Sequence, residues 1–264
     1  MEQPSFRLAD LFSIAGKVAL VTGGTSGIGA MISRAYVENG ATVYIAARKA
    51  ERCIAVAKAL SAFGTCIAAP ADANNADDRA RLIQAVGEGA GRLDILVNNA
   101  GVTWGAPFAE FPVAGYDKVM ETNVKGPFFL TQACLPLLTA AAQRNAPARV
   151  IMIGSMDGLK VPPADQQTFA YGASKAALHH MTRTLALLLA PQHITVNGIA
   201  PGPFETRLSA AKMAQDRVQI EGVCPLGRIG LPADMAGIAI YLASAASNYV
   251  TGAVIPVDGG MSIS

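Results

Sequence analysis

KVALVTGGTSGIGAMI, residues 17–32, is the stretch on which the fold turns. Its first half, Val18 to Val21, is an apolar run of strand length. Its second half changes rhythm: Ile28, Met31, Ile32, Ala35 and Tyr36 recur at three and four residues until Asn39 and Gly40 stop the helix. Gly23, Gly27 and Gly29 occupy the join. Gly23 permits a tight turn, Gly27 lets backbone approach a diphosphate, and Gly29 lets the helix pack close to the strand. The helix start then offers unpaired N–H groups and a partial positive charge to phosphate. The spacing is G-x-x-x-G-x-G, not G-x-G-x-x-G, and a glycine-rich turn can also bind nothing. The strand–turn–helix context in the first βα unit favours a bound dinucleotide. Thr25, Ser26 and Ile28, set among the glycines, are counted with them as cofactor-binding.

The alternation continues to the end of the chain. Short β-branched runs recur in ATVYIAA, TCIAAPA, LDILVNN, ARVIMIG, ITVNGIA and GAVIPVDGG, with helically spaced segments between them. This order predicts βαβ units: a doubly wound, Rossmann-type α/β/α sandwich around a seven-stranded parallel sheet. No repeat or linker divides residues 1–264, so one domain is expected. Residues 156–168, with a double proline, and 201–222 interrupt the rhythm. Each follows a strand's C-terminal end, where open α/β sheets bind ligands. Residues 203–222, with Met213 and many small side chains, read as a greasy, mobile lid over an apolar ketone. Residues up to about 15 form an N-terminal extension.

Composition narrows the class. A chain of 264 residues, 52% hydrophobic and 15% charged, can bury a large core. The net charge of +2 is scattered and forms neither a nucleic-acid stripe nor a polybasic membrane patch. Cys53, Cys66, Cys134 and Cys224 lie far apart, which fits a reducing compartment better than a disulfide framework or a zinc site. No signal segment or bilayer-length apolar run is evident, so a cytoplasmic protein is expected. His179, His180 and His193 have no ligand-spaced partners, and no metal is expected.

At the end of the second strand, an acidic residue would grip the 2′-hydroxyl of NAD. Ala46 and Ala47 stand there instead, followed by Arg48. A guanidinium can clamp a phosphate, so NADP(H) is expected over NAD(H). The alternative is that Arg48 simply opens a solvated helix. Asp72, with Ala73 beside it, could accept the adenine amino group or could be a turn residue.

In FAYGASKAA, residues 169–177, Tyr171 and Lys175 share one helical face. On a surface this pair contributes a few tenths of a kcal/mol. In a pocket it is a proton donor beside a cation that can tune it, since a free phenol titrates near pH 10.

Together, TGGTSGIG at 22–29, NNAG at 98–101, Asn123 in ETNVKG, Ser155 in IMIGS, YGASK at 171–175 and PG at 201–202 resemble the short-chain dehydrogenase/reductase family across nearly the whole chain. NAPARVIMIGS, YGASKAALH and VTGAVIPVDGG look most like its 3-oxoacyl-acyl-carrier-protein reductases, including a branch of NADPH-dependent reductases associated with rhamnolipid producers. The resemblance implies catalytic roles for Asn123, Ser155, Tyr171 and Lys175. Tyr171 would protonate the carbonyl oxygen and Ser155 would hydrogen-bond it. Lys175 would lower the phenol's pKa and hold the nicotinamide ribose, and Asn123 would anchor a water. Asn99, Ala100 and Gly101 would line the adenosine side, and Pro201, Gly202 and Phe204 the nicotinamide side. It also implies a homotetramer or homodimer. The implied activity is reversible reduction of a ketone, first a 3-oxoacyl thioester. A same-family dehydrogenase of an alcohol, polyol, steroid or secondary-metabolite ketone is the alternative, and a non-catalytic nucleotide sensor or scaffold is another. The Ser155–Tyr171 separation is longer than is usual in the family.

Pro127 has no N–H for the Asn123 carbonyl four residues earlier. Gly126 and Pro127 are therefore expected to open the helix there. The freed carbonyl could accept a relay water, or the opening could be a packing kink.

Overall fold

A single exposed helical turn, α1 (Leu8–Leu11), leads to Ile14, which is buried against the sheet. Six strand–helix steps follow. They comprise β1 (Val18–Thr22), α2 (Gly27–Glu38), β2 (Thr42–Ala46), α3 (Ala50–Leu60), β3 (Cys66–Ala68), α4 (Ala76–Ala90), β4 (Ile95–Asn98), α5 (Val113–Met120), α6 (Gly126–Ala141), β5 (Ala148–Ile153), α7 (Phe169–Leu189), β6 (Ile194–Pro201), α8 (Ala210–Val223), α9 (Pro232–Ala243) and β7 (Val254–Val257). This computed structural model describes residues 6–163, 166–206 and 210–264, with 210–215 described by backbone alone. Met213, expected in a lid, has its side chain outside the described residues.

All seven strands run parallel in the order β3-β2-β1-β4-β5-β6-β7. Chain direction across the sheet reverses between β1 and β4, where the crevice of a doubly wound sheet opens. The fully buried strands explain the unbroken apolar runs: both faces carry a core. Along β1, Ala19 and Val21 face one core with α2 and α9, and Val18 and Leu20 face the other with α4, α6 and α7. Tyr36 closes the first core, its hydroxyl donating to Ala239 O at 3.0 Å. The four cysteines are buried and free.

The expected opening near Pro127 is present as a π turn, Glu121–Lys125, in which Gly126 N–H donates to Glu121 O. A missing amide at Pro127 forces the widened turn, and such turns concentrate at functional sites.

Candidate active site

The glycine turn is shaped by close approach. Gly23 and Gly27 adopt φ of +64° and +54°, where a side chain is strained. Gly29 has ordinary helical backbone, but a Cβ there would overlap Gly23 O and the Asn99 side chain. Ser26 is the N-cap of α2, yet its side chain caps nothing. The first N–H groups of a twelve-residue helix therefore lie uncapped beside a cradle without side chains, which fits a diphosphate. Thr206, beyond β6, packs against Gly27 from above: a Cβ on Gly27 would stand 3.1 Å from its Cβ.

Arg48 is exposed just past β2, with no acidic residue at the strand end. Arg52, one helical turn later, donates to Thr25 O at 3.2 Å and brings a second guanidinium to the turn. Its i+4 spacing from Arg48 was a readable signal that the sequence reading missed. Asp72 makes an Asx turn, accepting Asn74 N–H at 3.0 Å, and Ala73 O accepts from Arg79.

Asn99 and Ala100 brace the crevice. Asn99 Nδ2 donates to Thr22 O at 2.8 Å, and the Asn99 and Ala100 amides both donate to Thr22 Oγ1. The side chain of Asn99 therefore joins β4 to the glycine turn instead of turning outward to a ligand. The Phe204 ring is buried at 3% exposure, packed over the bare backbone of Gly230. An apolar ring beside a glycine packs inward because that burial removes more surface from water. Pro201 ends β6, paired with Val257, and Gly202 lies against Asp258, where a Cβ would come within 2.7 Å of backbone.

Across the crevice, α7 starts two residues before Tyr171 and places Tyr171 and Lys175 on one face. Lys175 is buried and donates to Ile153 O at 2.8 Å, its Nζ 5.6 Å from the Tyr171 ring centroid. Gly101 carries the β4 end past Lys175: a Cβ there would stand 3.5 Å from Nζ. Ser155 follows β5, and its Oγ accepts Asp157 N–H at 3.1 Å, closing a short 3-10 turn, Met156–Gly158. With an N–H donating to it, Oγ keeps its own proton to give to an oxygen in the crevice.

Burial pushes the Tyr171 phenol up to about 12; the Ser155 hydroxyl pulls it partly back, and the Asp157 carboxylate raises it further. Burial likewise drives Lys175 down to about 8, opposed by Asp157. Desolvation of the phenolate is the largest influence on Tyr171, and the Lys175 ammonium is held by the Ile153 carbonyl. Asp157, two residues past Ser155, is an electrostatic participant that no motif announced.

Asn123 is 1% exposed. Its Oδ1 accepts Val102 N–H, and its Nδ2 donates to Val102 O and Ser174 Oγ, each at 2.9 Å. Ser174 Oγ in turn donates to Tyr171 O at 2.7 Å. The side chain locks the loop after β4 to α7.

Above the pocket, Phe169 meets Phe108 and Phe111 edge to face, with centroids 5.5 and 6.0 Å apart. The 156–168 segment, which interrupts the strand–helix rhythm, touches the 105–106 loop, where Ala106 N–H donates to Gln167 O. It also reaches the chain's last residues through Lys160 Nζ, which donates to Met261 O and Ser264 O. Residues 164–165 lie outside the described part.

A dinucleotide cradle facing Ser, Tyr and Lys at the C-terminal edge of a doubly wound sheet is the arrangement of a nicotinamide-dependent oxidoreductase. Residues 23–262 match the family described as enoyl-(acyl carrier protein) reductase. The rhamnolipids biosynthesis 3-oxoacyl-[acyl-carrier-protein] reductase of Pseudomonas aeruginosa is 50% identical over 94% of this chain and 97% of its own length. The solved Pseudomonas aeruginosa RhlG/NADP active-site complex superposes with a TM-score of 0.91 at 49% identity, covering 96% of this chain and 98% of that one. A gluconate 5-dehydrogenase from Burkholderia cenocepacia, solved with NADP and tartrate, gives 0.89 at 31% identity, covering 98% and 100%. The chain belongs to the short-chain dehydrogenase/reductase family. No helix among the described residues is long and apolar enough to cross a membrane.

Proposed function

We propose that this protein is an NADPH-dependent ketone reductase whose first substrate class is a 3-oxoacyl thioester. The carrying observation is the pairing, across one crevice, of the uncapped α2 cradle with the Ser155, Tyr171 and Lys175 side chains. A bound nicotinamide supplies the hydride. Gly23, Gly27, Gly29 and Thr206 cradle its diphosphate, and Arg48 and Arg52 take the 2′-phosphate. Ser155 and Tyr171 hydroxyls converge on the carbonyl oxygen. Tyr171 donates its proton there as negative charge develops, and a phenol held near 12 is fully protonated at neutral pH, as reduction needs. Lys175, at about 8, is the nearest group that can refill that proton. The Asn123 carbonyl, at the π turn, holds a relay water.

Two observations support the acyl substrate. Phe108, Phe111 and Phe169 form an apolar wall two residues before Tyr171, which suits an acyl chain better than a sugar acid. The 50% identical relative is named for a 3-oxoacyl substrate. The same reading includes a homotetramer or homodimer, which light scattering would test.

NADPH oxidation is measured with acetoacetyl-CoA and longer 3-oxoacyl thioesters, with 5-keto-D-gluconate as control. Turnover with NADPH, lost in Tyr171→Phe and weakened by raised KM for NADPH in Arg48→Ala, is the expected result. Turnover only with the keto-sugar acid, or preference for NADH, would overturn the substrate or cofactor assignment respectively.

A further inference from the structure

His179 belongs to the same face of α7 as Tyr171 and Lys175, one further turn into the core, and is 3% exposed. Its neighbour His180 is exposed. Nothing in the proposed chemistry uses His179, and a leucine would fill the same volume. The ring nevertheless lies wedged at the junction that presents Ser155. A Cβ on Gly154 would overlap Nε2, and one on Gly158 would stand 2.7 Å from Cε1. The residues on either side of the Ser155–Asp157 turn are thus glycines because an imidazole occupies the space between them.

The polar contact is specific. Gly154 N–H is the last on this strand to find a sheet partner, Ile199 O at 2.7 Å. The next amide, Ser155 N–H, points to His179 Nε2 at 3.5 Å. To accept, Nε2 must carry its lone pair, so the ring proton sits on Nδ1. Among the described residues, Nδ1 is buried and makes no hydrogen bond of ordinary geometry. The ring is neutral at physiological pH. Burial lowers its pKa to about 4, the Gly158 backbone raises it, and the Lys175 and Arg183 charges lower it.

We infer that His179 is a positioning residue: its neutral Nε2 accepts the Ser155 amide and fixes the backbone that aims Ser155 Oγ at the substrate oxygen. It touches neither cofactor nor substrate. A hydroxyl that must share one oxygen with Tyr171 is sensitive to sub-ångström displacement of its backbone. This inference rests on the reading that Ser155 contacts the ketone.

The test compares His179→Leu, which keeps volume and removes the acceptor, with His179→Gln, whose amide oxygen can replace Nε2. Acetoacetyl-CoA and NADPH are the probes. The leucine variant should lose about tenfold or more in kcat, with the dissociation constant for NADPH changed less than twofold. The glutamine variant should recover most of the loss. Equal kcat in His179→Leu and wild type, or equal losses in both variants accompanied by equal falls in melting temperature, would reduce His179 to packing. A second arm does not depend on turnover or on the variants folding. In the wild-type protein, ¹⁵N shifts of the ring should report the neutral Nδ1–H form, and the Nε2–H form would overturn the inference. Absent wild-type turnover with a correct tautomer would count against the substrate reading, not against the contact.

Discussion

Asn123→Ala should act first on stability. The side chain makes three hydrogen bonds of 2.9 Å, two to Val102 and one to Ser174, from a site only 1% exposed. Each such bond contributes about 1 kcal/mol net, and the stranded Val102 and Ser174 groups add a desolvation penalty where water cannot reach them. The total is about 3–4 kcal/mol, near the upper end for a single substitution. For a chain of this size that lowers Tm by on the order of 10 °C. Urea unfolding followed by far-UV circular dichroism would measure it, with Ser174→Ala, which breaks one of the three bonds to Asn123, falling in between. Activity should fall with it, because Val102 follows Gly101, which passes beside Lys175 Nζ. An Asn123→Ala protein within about 1 kcal/mol of wild type at unchanged m-value, yet with much reduced kcat, would refute the bracing argument. It would show instead that the side chain acts in the chemistry.

Three further outcomes are expected. Asp157→Asn should lower the Tyr171 and Lys175 pKa values, because its charge raises both; the rising limb of the pH profile for alcohol oxidation should move to lower pH, and an upward move would contradict the assignment. Lys175 is pushed from 10.5 down to about 8 on folding, so between those values the unfolded chain binds more protons and stability rises with pH. Over that window the rise is about 3 kcal/mol, and wild type should show it relative to Lys175→Met in denaturant titrations at pH 8 and 10; equal slopes would show that the folded ammonium is not destabilised. Gly29→Ala puts a Cβ into Gly23 O and Asn99. It should cost about 2–3 kcal/mol and weaken NADPH at least tenfold by fluorescence titration, since overpacking displaces the cradle; unchanged affinity would show that the turn yields freely.

The central strands were legible because β1, β4, β5 and β6 are buried on both faces, so their apolar runs needed no alternation to stand out. Tyr171 and Lys175 were legible as a pair because i and i+4 share a face on any helix. The π turn was legible at Pro127 because a missing amide is written in the residue itself. Asn99, Phe204 and Asn123 were harder. Their motifs mark the right region, but whether a side chain faces a ligand or a neighbouring strand depends on what stands opposite.

The sequence by itself determined the element order, the glycine cradle and the catalytic candidates, because these follow from local periodicity and from backbone geometry that only particular residues permit. Tertiary structure alone decided the rest. It ordered the strands so that β1 and β4 open a crevice, turned Phe204 inward over Gly230, and tied Asn99 to Thr22. It also buried Tyr171 and Lys175 enough to move their pKa values apart from solution, and set His179 behind Ser155. Hydrogen-bond partners and desolvation are properties of residues far apart in the chain, and they come into being only when packing brings those residues together.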